Sequence, residues 1–229
     1  MTTSKRAANI TRILQRLSEQ QSNTMLGHFS SKYDPWRILI GTILSARARD
    51  EVTEQVCEEL FNKYPNAEAL AGARQHDIEQ CIRRIGFYHT KAKNIIQTSK
   101  IVVEQYHGNV PDTMDGLLTL PGVGRKVAGC VLVYAFQKDA IPVDTHVHRI
   151  SNRLGWVSTK TPEQTEQRLM KIVQKKDWQV VNDYLVSHGK KVCKPIQPLC
   201  HSCCIERYCK KVGVTEKRGK KRKVLIMSC

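Results

Sequence analysis

Four cysteines in a seventeen-residue stretch, Cys193-x6-Cys200-x2-Cys203-x5-Cys209, put the tightest limit on what this 229-residue chain can fold into. Four thiolates so close in sequence can fill the coordination of one metal centre. A segment stapled in that way needs neither a long helix nor a core of its own. Structural zinc sites tend to use two Cys-x2-4-Cys knuckles, whereas this stretch has one such pair, with spacings of six and five around it. That pattern favours an iron–sulfur centre over zinc. Cys204, beside Cys203, is the spare thiol. Among the nine cysteines, Cys57, Cys81 and Cys130 are scattered through apolar or helical contexts, where a buried free thiol is expected. An odd total without a secretory h-region fits a reducing compartment rather than a disulfide framework.

The net charge is +16. A surplus of that size costs self-repulsion and implies a polyanionic partner, either nucleic acid or an acidic membrane surface. The tail from Gly213 carries six basic residues against Glu216, which leaves the body at +11. No run approaches the roughly 20 apolar residues of a membrane span. Residues 1–18 carry Lys5, Arg6, Arg12 and Arg16 with no acid, a composition shared with mitochondrial transit peptides. Ile10, Ile13, Leu14 and Leu17 nevertheless fall on one face at helical spacing, and this predicts a first amphipathic helix.

The periodicity is mostly helical. Val52, Val56 and Leu60 recur every fourth residue in a helix that Asp50 would cap and Tyr64-Pro65-Asn66 would stop. Thr161-Pro162-Glu163-Gln164 reads as a capping box with proline at the first helical position, opening a helix that turns Leu169, Ile172 and Val173 inward. Ile101–Val103 and Val127–Phe136 are β-branched enough for strands, but no second alternating set exists to pair with them. The fold class is therefore all-α. Residues 217–223 form a basic low-complexity run, read as a solvated tail.

Leu120-Pro121-Gly122-Val123-Gly124-Arg125-Lys126 separates two apolar helical stretches. Pro121 sets φ, and Gly122 and Gly124 permit a tight turn and close approach of a ligand to the backbone. N–H groups at the start of the next helix would face outward as an anion site for a phosphate. Lys126 stands at that helix end beside Arg125. Both features disfavour an ammonium, so a lowered pKa and a nucleophilic amine are expected; the alternative is a phosphate-contacting lysine. Asp144, in Val143-Asp144-Thr145-His146, is by default a helix N-cap.

In this order and spacing, the hairpin with its lysine, the Val-Asp-Thr-His segment and the four cysteines resemble the endonuclease III branch of the helix-hairpin-helix DNA glycosylases. The resemblance runs from about Ile10 to Val212. It implies a two-lobed helical protein with DNA between the lobes. A six-helix bundle with the hairpin would span residues 28–138. A lobe bearing a 4Fe–4S cluster would comprise residues 1–27 and 139–212, followed by a basic tail at 213–229. Lys126 then corresponds to the lysine that attacks the sugar C1′, and Asp144 to the essential aspartate. Cys193, Cys200, Cys203 and Cys209 would be the cluster ligands. Gly122, Val123, Gly124, Arg125 and His146 would contact DNA. Relatives that excise adenine opposite 8-oxoguanine lack the lysine, so Lys126 argues against that branch.

A base inside a duplex cannot reach Lys126, so it must be flipped out and the gap filled. Phe87 falls where relatives place an apolar wedge; core packing is its alternative reading. Arg47 stands where bacterial relatives have glutamine, inserted toward the orphaned base, and it could donate to a guanine edge. Lysines and arginines at 190, 191, 194, 207, 210 and 211 surround the cysteines and suit phosphates. The expected activity is that of a bifunctional DNA glycosylase/AP lyase of base excision repair, acting as a monomer on oxidised pyrimidines in duplex DNA. One alternative is a glycosylase for uracil or thymine mispaired with guanine; another is a non-catalytic DNA-binding module. The compartment would be the cytoplasm and nucleoid in a prokaryote, or the nucleus or mitochondrion in a eukaryote.

Overall fold

The computed structural model describes residues 3–19 and 24–215; the basic run at 217–223 and the rest of the tail beyond 215 lie outside them. Among the described residues there are twelve α-helices, three short 3-10 turns and no strand. The helices are α1 (Thr3–Ser18), α2 (Met25–Lys32), α3 (Pro35–Ser45), α4 (Asp50–Lys63), α5 (Ala67–Ala71) and α6 (Gln75–Ile82). After these come α7 (Tyr88–Tyr106), α8 (Met114–Leu118), α9 (Arg125–Phe136), α10 (Thr145–Arg153), α11 (Pro162–Ile172) and α12 (Trp178–Lys191).

They sort into two hydrophobic cores. The first joins α2 to α9, with Leu39, Ile40, Leu44, Leu60, Ile82, Ile95 and Val131 among its inaccessible side chains. Six of its helices have eight residues or more, and α5 and α8 are five-residue turns. The second core brings Ile10, Ile13, Leu14 and Leu17 of α1 against Val147 and Ile150 of α10, Leu169 of α11, and Val181 and Leu185 of α12. That packing explains the stripe on α1: residues 3–18 form a docked helix, and the transit-peptide composition is incidental.

The two β-branched runs are helical, inside α7 and α9. Every residue from Val127 to Tyr134 is buried, and a helix enclosed on all sides reads as a continuous apolar run with no period to betray it. Thr161 caps α11 as expected, accepting from Gln164 N at 3.3 Å, and Pro162 is the first helical residue. Asp50 does not cap α4. Arg49 takes the cap position without a side-chain bond, Asp50 is the first helical residue, and its carboxylate pairs with Lys190 of α12.

Candidate active site and cysteine centre

Thr119–Gly124 turns the chain between α8 and α9. Gly122 has φ +79°, and a Cβ there would stand 2.8 Å from Asn94 Nδ2, so both its backbone and its surroundings call for glycine. Thr98 Oγ1 donates to Pro121 O at 2.9 Å, and Val123 N to Leu120 O at 3.1 Å, which fixes the turn onto α7. The Val123 side chain is buried, so only its backbone can meet a ligand. Gly124 is exposed, with open space where a Cβ would be, and leaves the N-terminus of α9 accessible.

Arg125, expected to contact DNA, also has a partner within the protein. Its guanidinium makes a two-pronged pair with Glu166 of α11, at 2.9 and 2.8 Å, and Glu166 holds its pKa up. This cation therefore ties the hairpin to the other lobe while remaining partly exposed. Glu166, buried and acidic on α11, carried no signal in the sequence.

Lys126 lies in the first turn of α9, where the two cores meet. Its ammonium is held above the usual lysine pKa, not below it as the sequence suggested. The largest cause is Cys130 one turn along, with burial opposing, and Asp144 and then Asp50 adding to the rise. Burial raises the Cys130 thiol as well. Asp144 itself caps α10: one oxygen, Oδ1, accepts from His146 N at 2.8 Å and Val147 N at 2.9 Å. Asp144 is thus both the N-cap read by default and a carboxylate whose charge acts on the lysine. His146 is half-buried behind it. Burial is the main cause of its lowered pKa, leaving a neutral imidazole near pH 7, with Nδ1 3.1 Å from Arg149 Nη2.

Two further predicted residues meet on the first lobe. Phe87 is 64% exposed, which removes the core-packing alternative, and its backbone is left-handed (φ 60°, ψ 30°). A residue at a helix N-cap is normally extended and caps with its side chain, and Phe87 does neither. Arg47, also left-handed at φ 56°, sets its guanidinium carbon 6.0 Å from the centre of the Phe87 ring. Such backbone costs about 1–3 kcal/mol per non-glycine residue. Two such residues with touching side chains mark a built feature. Beneath them, buried Lys91 donates to Leu44 O at 2.8 Å and Ala46 O at 2.6 Å, and burial lowers its pKa to about 8.

In the second lobe, Cys193, Cys200, Cys203 and Cys209 line one cavity with Ile150, Leu154 and Ile205; Cys204 is not on its wall. Arg153 Nη1 donates to Cys193 Sγ at 3.4 Å and Lys211 N to Cys209 Sγ at 3.3 Å, while His188 Nε2 lies 3.6 Å from Cys203 Sγ. Arg153 also holds Lys194 O and Pro195 O at 2.7 and 2.8 Å, fixing the cysteine loop to α10. Among the described residues no three or more His, Cys, Asp or Glu side chains converge where one metal ion would sit. Four sulfurs around a cavity, two of them already accepting N–H donors, are a donor set whose chemistry fits an iron–sulfur cluster. Lys191, Lys194, Arg207 and Lys210 stand exposed around it, while Lys190 and Lys211 are paired with Asp50 and Glu206. No helix among the described residues is long and apolar enough to cross a membrane.

An all-helical, two-lobed chain with a lysine after a glycine hairpin and an aspartate at the junction has the architecture of a DNA repair protein. The HhH-GPD superfamily base excision DNA repair protein family matches residues 40–175. Endonuclease III of Thermotoga maritima is 49% identical over 176 residues, covering 77% of this chain and 83% of that protein. Endonuclease III of Escherichia coli is 37% identical over 198 residues, covering 86% and 92%. By these matches the chain belongs to the endonuclease III family of that superfamily. A solved structure described as a trapped endonuclease III–DNA covalent intermediate superposes with a TM-score of 0.82 at 34% identity, covering 92% of this chain and 97% of the other. A thermostable thymine-DNA glycosylase, 24% identical at a TM-score of 0.81, shares the fold.

Proposed function

We propose that this chain is a bifunctional DNA glycosylase and AP lyase of base excision repair that removes oxidised pyrimidines from duplex DNA. The observation that carries this reading is Lys126, in the first turn after the hairpin and near enough to the Asp144 carboxylate for that charge to act on its amine. As the bond to the base breaks, positive charge develops on the sugar, and Asp144 stabilises it electrostatically. Asp144 also accepts the proton that Lys126 must lose before its nitrogen can bond to C1′. The base departs with the bonding electron pair. The sugar ring of the C1′ adduct then opens, the C1′–O4′ bond breaking as O4′ takes up a proton, to leave an iminium that acidifies C2′. A base removes the C2′ proton, and the C3′–O bond breaks with the phosphate as leaving group, nicking the strand on the 3′ side. Backbone N–H groups from Gly122 to Lys126 suit the phosphate of the flanking nucleotide.

The same proposal takes the four cavity cysteines as ligands of a 4Fe–4S cluster, which would cross-link the last stretch of the second lobe and present its basic rim to phosphates. It keeps the expected division into a hairpin lobe, 28–138, and a cluster lobe, 1–27 with 139–212, except that the first boundary moves back to Met25, because Met25 and Leu26 of α2 pack in the first core; the protein acts as a monomer.

Borohydride trapping tests the chemistry. The wild type should be captured on lesion DNA, whereas Lys126→Ala should not, with DNA binding kept within about threefold because phosphate contacts are spread over many groups. Undiminished trapping by Lys126→Ala would overturn the assignment. Exposed Arg47 beside Phe87 favours a second reading, in which guanine opposite the lesion is preferred, as in a uracil or thymine mispair glycosylase. Nicking of single-lesion duplexes with each of the four opposite bases decides between them. Arg47→Gln should flatten a guanine preference by about 1–3 kcal/mol, and an unchanged preference would exclude Arg47 as the reader.

A further inference from the structure

We propose that Lys91 is the positioning residue that holds Arg47 against Phe87 and so makes the pair competent to open a base stack. The inference rests on the DNA-repair reading above. Its basis is an account of the backbone at the carboxyl end of α3. The last carbonyls of a helix lack intrahelical partners, and a buried helix end must find them elsewhere. Here Ser45 Oγ donates to Thr42 O at 2.9 Å and Ala48 N to Ser45 O at 3.0 Å. Lys91 Nζ takes Leu44 O and Ala46 O, the latter one residue before left-handed Arg47.

The same lysine is rooted behind the other member of the pair. Lys91 N donates to Phe87 O at 3.0 Å in the first turn of α7, a helix bond that any residue there would make. The side chain therefore reaches from the Phe87 side to the carbonyls on the Arg47 side, and that reach is what the ammonium adds. Its cost is visible: a lysine 7% exposed has given up its hydration, and the acceptors of its ammonium are two carbonyls, not a carboxylate. An ordinary helix cap does not require a buried charge. Two carbonyls 2.6 and 2.8 Å away, at the negative end of a helix, are what a buried cation can use.

A lysine that merely stabilised the fold would, when lost, impair every activity together. A positioning residue for the wedge should impair only what requires the stack to open. The test uses Lys126→Ala, which cannot turn over, with and without Lys91→Met, on a lesion duplex carrying 2-aminopurine next to the lesion. Lys91→Met keeps most of the buried volume and removes the donor. At saturating protein, Lys126→Ala should raise 2-aminopurine fluorescence, and the double variant should lose most of that rise. Affinity for undamaged duplex should stay within about twofold, because it rests on phosphate contacts. In the otherwise wild-type protein, Lys91→Met should lower single-turnover base removal by at least about tenfold, the scale expected when a charged donor to two buried carbonyls is lost. Cleavage of a preformed abasic site in single-stranded DNA, relative to wild type, should fall far less. Lys91→Arg, which keeps a buried cationic donor, should recover part of the fluorescence rise, and it serves as the readout if Lys91→Met does not fold. An undiminished rise in the double variant, or an equal loss on duplex and single-stranded substrates, would overturn the proposal. Failure of the wild type to nick any lesion duplex would instead overturn the DNA-repair reading beneath it.

Discussion

Around α3, α7 and α9 the first lobe is closed by aliphatic side chains, with Leu39, Ile40, Leu44, Ile95 and Val131 all inaccessible. In the second lobe, residues 192–215 contribute two three-residue 3-10 turns and little else that is regular, and four cysteines line the cavity at their centre. Ile205 is the buried aliphatic residue of that stretch. One lobe thus derives its order from burial of apolar surface. The other has a terminal segment too short and too polar to do so, and needs a cross-link in place of a core. The division also separates the roles: Lys126 is carried by the lobe closed by packing, while Asp144 and the basic rim are carried by the lobe that adds a cysteine-lined segment to an apolar core of its own.

The largest effect that would break this comparison is loss of a cavity cysteine. Cys203→Ser should abolish the brown colour and iron content of the purified protein and sharply reduce soluble yield, whereas Cys204→Ser should change neither. The four-thiol assignment fails if Cys203→Ser retains iron and solubility, or if metal analysis finds one zinc and no iron. Next in size, Asp144→Asn should slow base removal by about 10²–10³-fold with little change in thermal midpoint, since asparagine caps helices nearly as well. Near wild-type rates would reduce Asp144 to the cap it also is. Glu166→Gln sharpens the view of the seam. Arg125 is partly exposed to solvent, so screening leaves the pair modest: a loss of about 1 kcal/mol, or about 2–4 °C in thermal midpoint, is expected. A freed Arg125 should steepen the salt dependence of DNA binding by up to about one phosphate. An unchanged slope would show that the guanidinium stays clear of DNA even when unpaired.

How much of this was legible beforehand depended on distance along the chain. The stripe on α1, the caps at Thr161 and Asp144, and the tight turn at Gly122 are local events, set by neighbours within a few residues, and they could be read directly. Spacing likewise singled out Cys204, which stands off the wall of the cavity that the other four line. The buried run of α9 resisted reading because complete enclosure erases the period that distinguishes helix from strand. Two expectations needed correction for a shared reason. Asp50 was read as a cap but pairs with Lys190; Lys126 was expected to be depressed by its helix end, but its pKa is raised, with Cys130 the largest cause and Asp144 adding to it. Arg125, read as a DNA contact, has in addition a partner in Glu166. For Asp50 and Arg125 the partner lies far off in sequence, and for Lys126 the helix also had to be buried.

By itself, then, the sequence determined a helical chain, a glycine hairpin followed by a lysine, a capped aspartate and a cluster of thiols, since propensity, φ restriction and covalent spacing act over one or two turns. Only the tertiary structure decided which charges are committed and which are free. It joined Arg125 to Glu166 across 41 residues, set Arg47 beside Phe87, and placed Lys91 beneath them on carbonyls 45 and 47 residues away. The physical reason is that a side chain's charge, exposure and reach are properties of its surroundings, and folding brings those surroundings from distant parts of the chain.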